Sequence, residues 1–376
     1  MHDMTARAHA PAEPSGKKRL PRFAWILYAV TAACAVLMLL FWLFPAFSDF
    51  FTRHIGSVLR AVLAHLTSWL PFSLAEYFIL LSPAILVGTV LFMVRRYADS
   101  WRDVGICLLT LLSILGLFFS LFTVGFASAY HGSTLDQKLQ MERREVSAEE
   151  LKQTALILSE QLNAEAEQVS FESGGFSVMP YSLNEMNTVL NAAYDKAYGK
   201  YAFLQPLHSR TKPVMLSELM SYTHITGVYA FFTGEANLNV AFPDYTLPYT
   251  AAHELAHQRG IAREDEANFM AFLVCMEADD PYVRYSAYLS LYEYVASALY
   301  SANPQYYTEV NATLPLAVRF ELKAFSDFFE KYNKSVAADV SETVNNTFLV
   351  LQGTEGTKSY GMVVDLAVAF YRPSMT

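Results

Sequence analysis

Three long apolar stretches restrict what this chain can fold into. One helix needs about 20 mostly apolar residues to cross a bilayer, and the sequence predicts such spans near residues 25–44, 77–94 and 105–129. Only 17% of the residues are charged, whereas soluble domains carry about 25%. The first stretch lacks the short apolar core and cleavage site of a secretory signal. We therefore interpret residues 23–130 as an α-helical membrane anchor with three spans.

Basic residues are distributed unevenly among the segments that flank these spans. The polar residues 1–22 hold five of them and the 95–104 loop holds three, whereas the segment between the first two spans holds only Arg53 and Arg60. Positively charged short loops stay in the cytoplasm. We therefore predict a disordered cytoplasmic tail at 1–22 and an extracytoplasmic domain over 131–376.

The segment from His54 to Leu70 has apolar residues at helical spacing with basic residues among them. This pattern predicts an amphipathic helix. Two interpretations remain open: a helix that lies at the membrane interface, or a surface helix that packs on the spans.

Charge and cysteine content exclude several classes of function. The formal net charge is −9, whereas a nucleic-acid-binding surface needs a basic patch. We therefore expect the lipid bilayer, and not nucleic acid, as a partner. Cys34, Cys107 and Cys275 form neither a paired framework nor a C-x-x-C motif, so we expect no disulfide and no thiolate zinc site.

Beyond residue 131 the pattern predicts a mainly α, α+β domain with a small sheet. A capping sequence at Ser147 begins the first predicted helix. Helices are predicted near residues 147–168, 181–201, 264–278, 281–300, 313–334, 336–351 and 360–371. Residues 228–233 and 237–241 are predicted to form a β-hairpin with a turn at 234–236, and 206–222 is irregular or strand-like.

The sequence H-E-x-x-H at residues 253–257 is the main candidate for chemistry. On a helix, His253 and His257 point the same way and can bind one Zn²⁺. Glu254 lies beside them, where it can take a proton from a zinc-activated water. Pro243 and Pro248 are expected to break the chain before this helix, and Gly260 follows His257 where a helix commonly ends with a left-handed glycine.

A catalytic zinc site takes three protein ligands, and two nearby acids could complete it. We prefer Glu264 as the third ligand, with Asn268 one turn later as a partner that orients a zinc-bound imidazole. Glu266 lies about 200° around the helix from Glu264, so only one of the two can ligate. The alternative is that these acids only stabilise a helix N-terminus through its dipole.

A peptidase also needs a donor to the oxyanion of its tetrahedral intermediate. His224, Tyr229 and Tyr245 are candidates upstream of the motif, although each can equally be a packed or surface residue. The predicted strand at 228–233 could bind an extended peptide by strand addition. The aromatic content of this strand slightly favours the alternative, which is an ordinary strand in the protein core.

The two motifs together resemble those of gluzincin-type metallopeptidases. There the pattern H-E-x-x-H is followed by E-x-x-A-D or E-x-x-A-N, and the second Glu is the third zinc ligand; in this chain it corresponds to Glu264. The second motif lies closer here than is usual, and Asn268 stands where Asp is commoner. Three N-terminal spans followed by T-G-E-A-N at 233–237, H-E-L-A-H at 253–257 and E-D-E-A-N-F at 264–269 also resemble a family of bacterial membrane proteins regarded as zinc peptidases. That resemblance implies a zincin-like fold and the metal, but no substrate.

We therefore expect a zinc-dependent peptidase anchored in the bacterial cell membrane, with Glu254 as general base and a cell-envelope peptide or protein as substrate. The alternative is a non-catalytic zinc-binding sensor or scaffold that retains a zincin fold. An intramembrane protease is disfavoured because polar, Pro-bearing sequence flanks the motif. The sequence indicates no oligomeric state.

Overall fold

The computed structural model describes residues 19–97, 100–173, 175–333 and 335–375. It is mainly helical, with one small sheet. The chain divides into two compact units, one containing residues 81–120 with the chain up to residue 35, and the other containing residues 36–80 and 121 onward. The predicted tail at 1–22 lies mostly outside the described residues.

Three helices are long and apolar enough to cross a membrane, which confirms that prediction. They are α1 (Arg22–Leu43), α4 (Leu74–Tyr97) and α5 (Trp101–Phe122). The last continues through a π-helical segment, Thr123–Ala127, into α6 (Ser128–His131). In the first unit, the Tyr28 hydroxyl donates to the Leu109 carbonyl at 2.7 Å, which joins α1 to α5.

Between α1 and α4 the chain forms α2 (Pro45–Phe51), a π-helical turn (Thr52–Gly56) and α3 (Ser57–Ser68). The predicted amphipathic helix is therefore present, but its polar face is the buried one. The exposed side of α3 and of the residues that flank it carries His65 and a set of apolar side chains, Ile55, Val58, Val62, Leu66 and Trp69. An exposed apolar face favours the interpretation that α3 lies on a membrane surface.

The remaining helices belong to the second unit. They are α7 (Leu135–Lys138), α8 (Ala148–Ala166), α9 (Leu183–Lys200), α10 (Ser217–Ser221), α11 (Thr246–Gln258), α12 (Glu264–Cys275), α13 (Pro281–Ala302), α14 (Pro304–Asn311), α15 (Leu316–Glu330), α16 (Val336–Leu351) and α17 (Val363–Tyr371). A 3₁₀ helix, Gly356–Met362, precedes α17. The predicted cap is confirmed, since Ser147 and Glu150 form a capping box at the start of α8.

The predicted helix at 313–334 is confirmed as α15, which begins directly after Pro315. Helix α14 was not predicted; it begins at Pro304, which is preorganised for a first helical position. One prediction about proline was wrong. Pro248 does not break the chain before the motif; it lies in the first turn of α11. A first-turn backbone nitrogen has no partner within the helix, so proline is tolerated there.

The sheet has three strands in the order β1 (Thr211–Pro213), β3 (Glu235–Leu238), β2 (Gly227–Ala230). Strands β2 and β3 are antiparallel, as the hairpin prediction requires, and β1 is parallel to β3. The turn lies at 231–234 instead of 234–236. Glu235 is held in β3 because its carboxylate accepts hydrogen bonds from the backbone N–H groups of Leu74 and Ala75. The sheet therefore caps the N-terminus of α4.

Candidate metal centre

Helix α11 positions both motif histidines and ends in a defined turn. The N–H of Gly260 donates to the His257 carbonyl, and the N–H of Ile261 donates to the Ala256 carbonyl. These two bonds form a Schellman motif. Gly260 has φ of +92°, a conformation that side chains other than glycine rarely adopt. The predicted glycine stop is thus confirmed, and it turns the chain back so that α12 begins at Glu264.

This turn brings His253, His257 and Glu264 together. The Nε2 atoms of the two histidines lie 3.2 and 3.3 Å from the same Glu264 carboxylate oxygen. The imidazole rings are 4.5 Å apart and perpendicular. All three side chains are buried, and that Glu264 oxygen has no hydrogen-bond partner in the part of the chain that the structure describes.

The remaining ring nitrogens define which atoms face the cluster. His257 Nδ1 lies 2.8 Å from the Ile261 carbonyl oxygen, which can only accept a hydrogen bond. Nδ1 therefore carries a proton, and Nε2 is the nitrogen that faces Glu264 and that would bind a metal once it has lost its own proton. The turn that ends α11 thus also orients the second histidine.

The cluster fits a divalent metal such as Zn²⁺. Zn–N and Zn–O distances of about 2.0–2.2 Å place neighbouring ligand atoms of a tetrahedron about 3.3–3.6 Å apart. The observed separations of 3.2 and 3.3 Å are close to this range. Two imidazole nitrogens and one carboxylate oxygen are also a common ligand set for catalytic zinc.

The charges in the cluster are strongly coupled. Burial alone raises the pKa of Glu264, but the adjacent imidazoles of His257 and His253 outweigh burial and hold its pKa below the usual value. Burial lowers the pKa of His257, and the Glu264 charge reverses this effect and raises the pKa to about 9. The Glu264 carboxylate therefore stays ionised, as a metal ligand must be.

The side chain of Glu254 extends from α11 towards strand β2. The backbone N–H of Tyr229 donates to its carboxylate, whereas Oε2 is buried and has no partner among the described residues. A Cβ atom at Gly227 would lie only 2.6 Å from Glu254 Oε1, so only glycine permits this approach. Burial raises the pKa of Glu254 to about 7, although His253 and His257 oppose the increase.

The other acids of α12 point elsewhere. Glu266 accepts hydrogen bonds from the Leu135 backbone and from Arg263, and Asp265 pairs with Arg143. The cluster therefore contains Glu264 and not Glu266.

Asn268 lies one turn after Glu264, and its side-chain amide approaches the Tyr294 hydroxyl at 3.5 Å. Its backbone carbonyl accepts a hydrogen bond from the Tyr249 hydroxyl. Its suggested role in orienting an imidazole stays a prediction.

The three predicted oxyanion donors occupy different surroundings. A ring nitrogen of His224 lies 2.9 Å from the Tyr332 carbonyl, and the Tyr245 hydroxyl faces the Glu293 carboxylate at 3.4 Å. The Tyr229 hydroxyl is buried without a partner among the described residues, and its ring packs 5.2 Å from that of Phe126. Of the three, only Tyr229 directly contacts a residue of the site, through its backbone. Their role as donors stays a prediction.

Sequence reasoning missed Tyr360, which lies in the 3₁₀ helix before α17 and packs on the same aromatic cluster as Tyr229. Its pKa is raised well above the usual value by burial and by the charges of Glu264 and Glu254, so the phenol stays protonated beside the site. The Tyr360 hydroxyl accepts a hydrogen bond from Asn345 at 3.3 Å, which leaves its own proton free to donate. Nothing in the local sequence indicates this, because Tyr360 lies far along the chain from the motif.

The fold and the site define a protein with three potential membrane-spanning helices and a buried His-His-Glu cluster. Residues 51–368 match the family described as "protein of unknown function (DUF3810)". The match covers most of the chain, and the chain therefore belongs to this family. Comparison with curated proteins and with solved structures gives no match.

Proposed function

We propose that this chain is a membrane-anchored zinc peptidase with a zincin-like catalytic domain. The convergence of His253, His257 and Glu264 on one point, with the Glu254 carboxylate beside them, is the observation that supports it most strongly. The first three residues would hold the metal. When bound, Zn²⁺ would polarise the scissile carbonyl and increase the acidity of a water molecule.

In this proposal Glu254 is the general base. One oxygen of its carboxylate is fixed by the Tyr229 N–H, and the other is free to accept a proton. As water adds to the carbonyl carbon and the C–N bond breaks, Glu254 takes the proton of the water and delivers it to the leaving amine nitrogen. A pKa of about 7 suits both steps, because the same group must accept and return a proton near neutral pH.

We further propose that the domain after residue 131 lies outside the cytoplasm of a bacterial cell. The argument is the excess of basic residues before α1 and in the 95–104 loop, compared with the segment between α1 and α4. Peptides or proteins of the cell envelope are then the substrates within reach.

Replacing Glu254 with Gln tests the assignment of the base. The purified Glu254→Gln variant is expected to retain its zinc and to lose hydrolysis of a peptide library. Glu160→Gln is a matched control, because Glu160 is exposed on α8. If Glu254→Gln hydrolyses peptides at the wild-type rate, Glu254 is not the general base.

A second candidate function is a zinc-binding sensor or scaffold without catalysis. The side chains of His253, His257 and Glu264 are at most 10% exposed, which favours a closed site. Tightly held zinc in the wild-type protein, together with no turnover of any peptide in the library, would support this alternative.

A further inference from the structure

A pocket with a volume of about 530 Å³ lies beside the turn that ends α11. Its walls come from the 49–62 segment, from Lys138, from residues 198–206 at and after the end of α9, and from the turn at 259–261. The pocket shares only this turn with the metal centre, so the binding of a ligand in the pocket does not depend on the proposed peptidase activity.

The pocket carries an excess of positive charge. Four cationic residues and one carboxylate, Asp49, line it. The cationic residues are Arg53, Arg60, Lys138 and Arg259. Lys138 lies 3.5 Å from Asp49, which also accepts hydrogen bonds from Ser133. The guanidinium groups of Arg53, Arg60 and Arg259 therefore have no carboxylate in ion-pair contact within the described chain.

Arg60 is buried in the pocket wall, with 1% of its surface exposed. It donates to the backbone carbonyls of Gln258, Gly125 and Thr52 and to the side-chain oxygen of Gln205. All of these acceptors are neutral, and burial lowers the pKa of Arg60 to about 10. Removing a charge from water is costly unless an opposite charge compensates it.

Arg259 is the second buried cation, with 3% exposed. Its guanidinium stacks 3.8 Å from the centre of the Tyr194 ring and donates to the carbonyls of Leu255 and Leu207. Its Nε–H has no hydrogen-bond partner among the described residues. The nearest acid that affects its charge, Asp195, is exposed and binds His208. Arg259 therefore also lacks a close anion.

Apolar side chains also form a wall of the pocket. Val58 and Val62 of α3 contribute to it, together with Tyr198 and Phe203. The same two valines belong to the exposed apolar face of α3, which continues to Trp69. A ligand that fits both walls has an anionic group and an apolar chain.

We propose that this pocket binds the phosphate-bearing head group of an anionic membrane lipid, with its acyl chains along the exposed apolar face of α3. Guanidinium groups recognise phosphate through several N–H donors, and a volume of this order suits a small polar head group. The segment that carries the pocket lies between two helices able to span a membrane, where lipid head groups are abundant. Free phosphate offers the same anion but leaves the apolar wall without a contact.

Titration of the full-length protein in neutral detergent tests the proposal. The probes are a short-chain phosphatidylglycerol, phosphatidylcholine with the same chains, and inorganic phosphate. Binding is measured as the increase in the thermal unfolding midpoint and as the Kd. Phosphatidylglycerol is expected to bind more tightly than either of the other probes.

The variant Arg53→Gln/Lys138→Gln removes two cations at the pocket rim, outside the metal centre. Two surface cations contribute about thirtyfold to the affinity for an anionic lipid, so its Kd for phosphatidylglycerol should increase by about that factor. Lys323→Gln, on the exposed face of α15, should bind like the wild type. Equal affinity for phosphatidylcholine, or an unchanged Kd in the double variant, would overturn the proposal. Equal affinity for inorganic phosphate would assign the pocket to a soluble anion and overturn the lipid assignment.

Discussion

Gly227 allows strand β2 to approach the Glu254 carboxylate more closely than a strand with a side chain could. The Cβ of any other residue would lie 2.6 Å from Oε1 and 2.8 Å from Cγ of Glu254. The backbone of β2 also holds this carboxylate through the Tyr229 N–H. The position of the proposed base therefore depends on a residue that has no chemical function of its own.

Gly227→Ala should displace Glu254 and leave the metal ligands in place. A displacement of about 1 Å can reduce a rate by about a hundredfold, so we expect a decrease in kcat of that order with unchanged zinc content. Gly199→Ala is the control, because a Cβ there meets nothing within 4 Å. A variant with wild-type kcat would contradict the proposed role of the close contact.

We propose Tyr360 as a further candidate donor in the proposed peptidase, because Asn345 leaves its proton free and the phenol stays protonated near Glu264 and Glu254. Loss of one such donor costs about a hundredfold or more in kcat. Tyr360→Phe should therefore reduce kcat with little change in zinc content. Tyr300→Phe, at an exposed position of α13, should not. If steady-state kinetics give equal kcat values for the two variants, Tyr360 is not the donor.

At the scale of elements, the sequence predicts contacts between residues that lie within one or two helical turns of each other along the chain. The H-E-x-x-H helix, its glycine stop and the choice of Glu264 all depend on spacing along α11 and α12, and the structure brings these residues together. The aromatic side chains that pack beside Tyr229 could not be predicted, because Phe126 and Tyr360 come from segments that are distant in the sequence. The sequence left two interpretations of α3 open, since periodicity shows two faces but not which one is buried, and the exposed apolar side chains favour the membrane-interface interpretation.

The buried pair of Lys212 and Glu235 joins the sheet to α4. The two side chains are at most 3% exposed, and Glu235 also accepts from the N–H groups of Leu74 and Ala75. Removing one member of a buried ion pair costs about 3–5 kcal/mol. Glu235→Gln should therefore decrease the free energy of unfolding in detergent by about this amount. The double variant Lys212→Met/Glu235→Gln should lose less, and equal losses would show that the unpaired charge is not the cause.

At the scale of the whole molecule, our proposal that all three helices cross the bilayer would place the two ends of the membrane region on opposite sides of it. A membrane-impermeant maleimide on intact cells should label Lys323→Cys in α15. It should label Arg102→Cys, which lies near the start of α5, only after permeabilisation. The three native cysteines that the structure describes are buried and give little background. The reverse labelling pattern would place the metal centre in the cytoplasm.

Metal analysis of the purified protein tests the central claim most directly. We predict about one zinc per chain in the wild type, retention of that zinc in Glu266→Gln, and its loss in His257→Ala and Glu264→Ala. Glu266 is the matched control because it lies on the same helix but binds Arg263 and the Leu135 backbone. A wild-type protein without zinc, or the same zinc content in all four proteins, would contradict the assignment of His253, His257 and Glu264 as a metal centre.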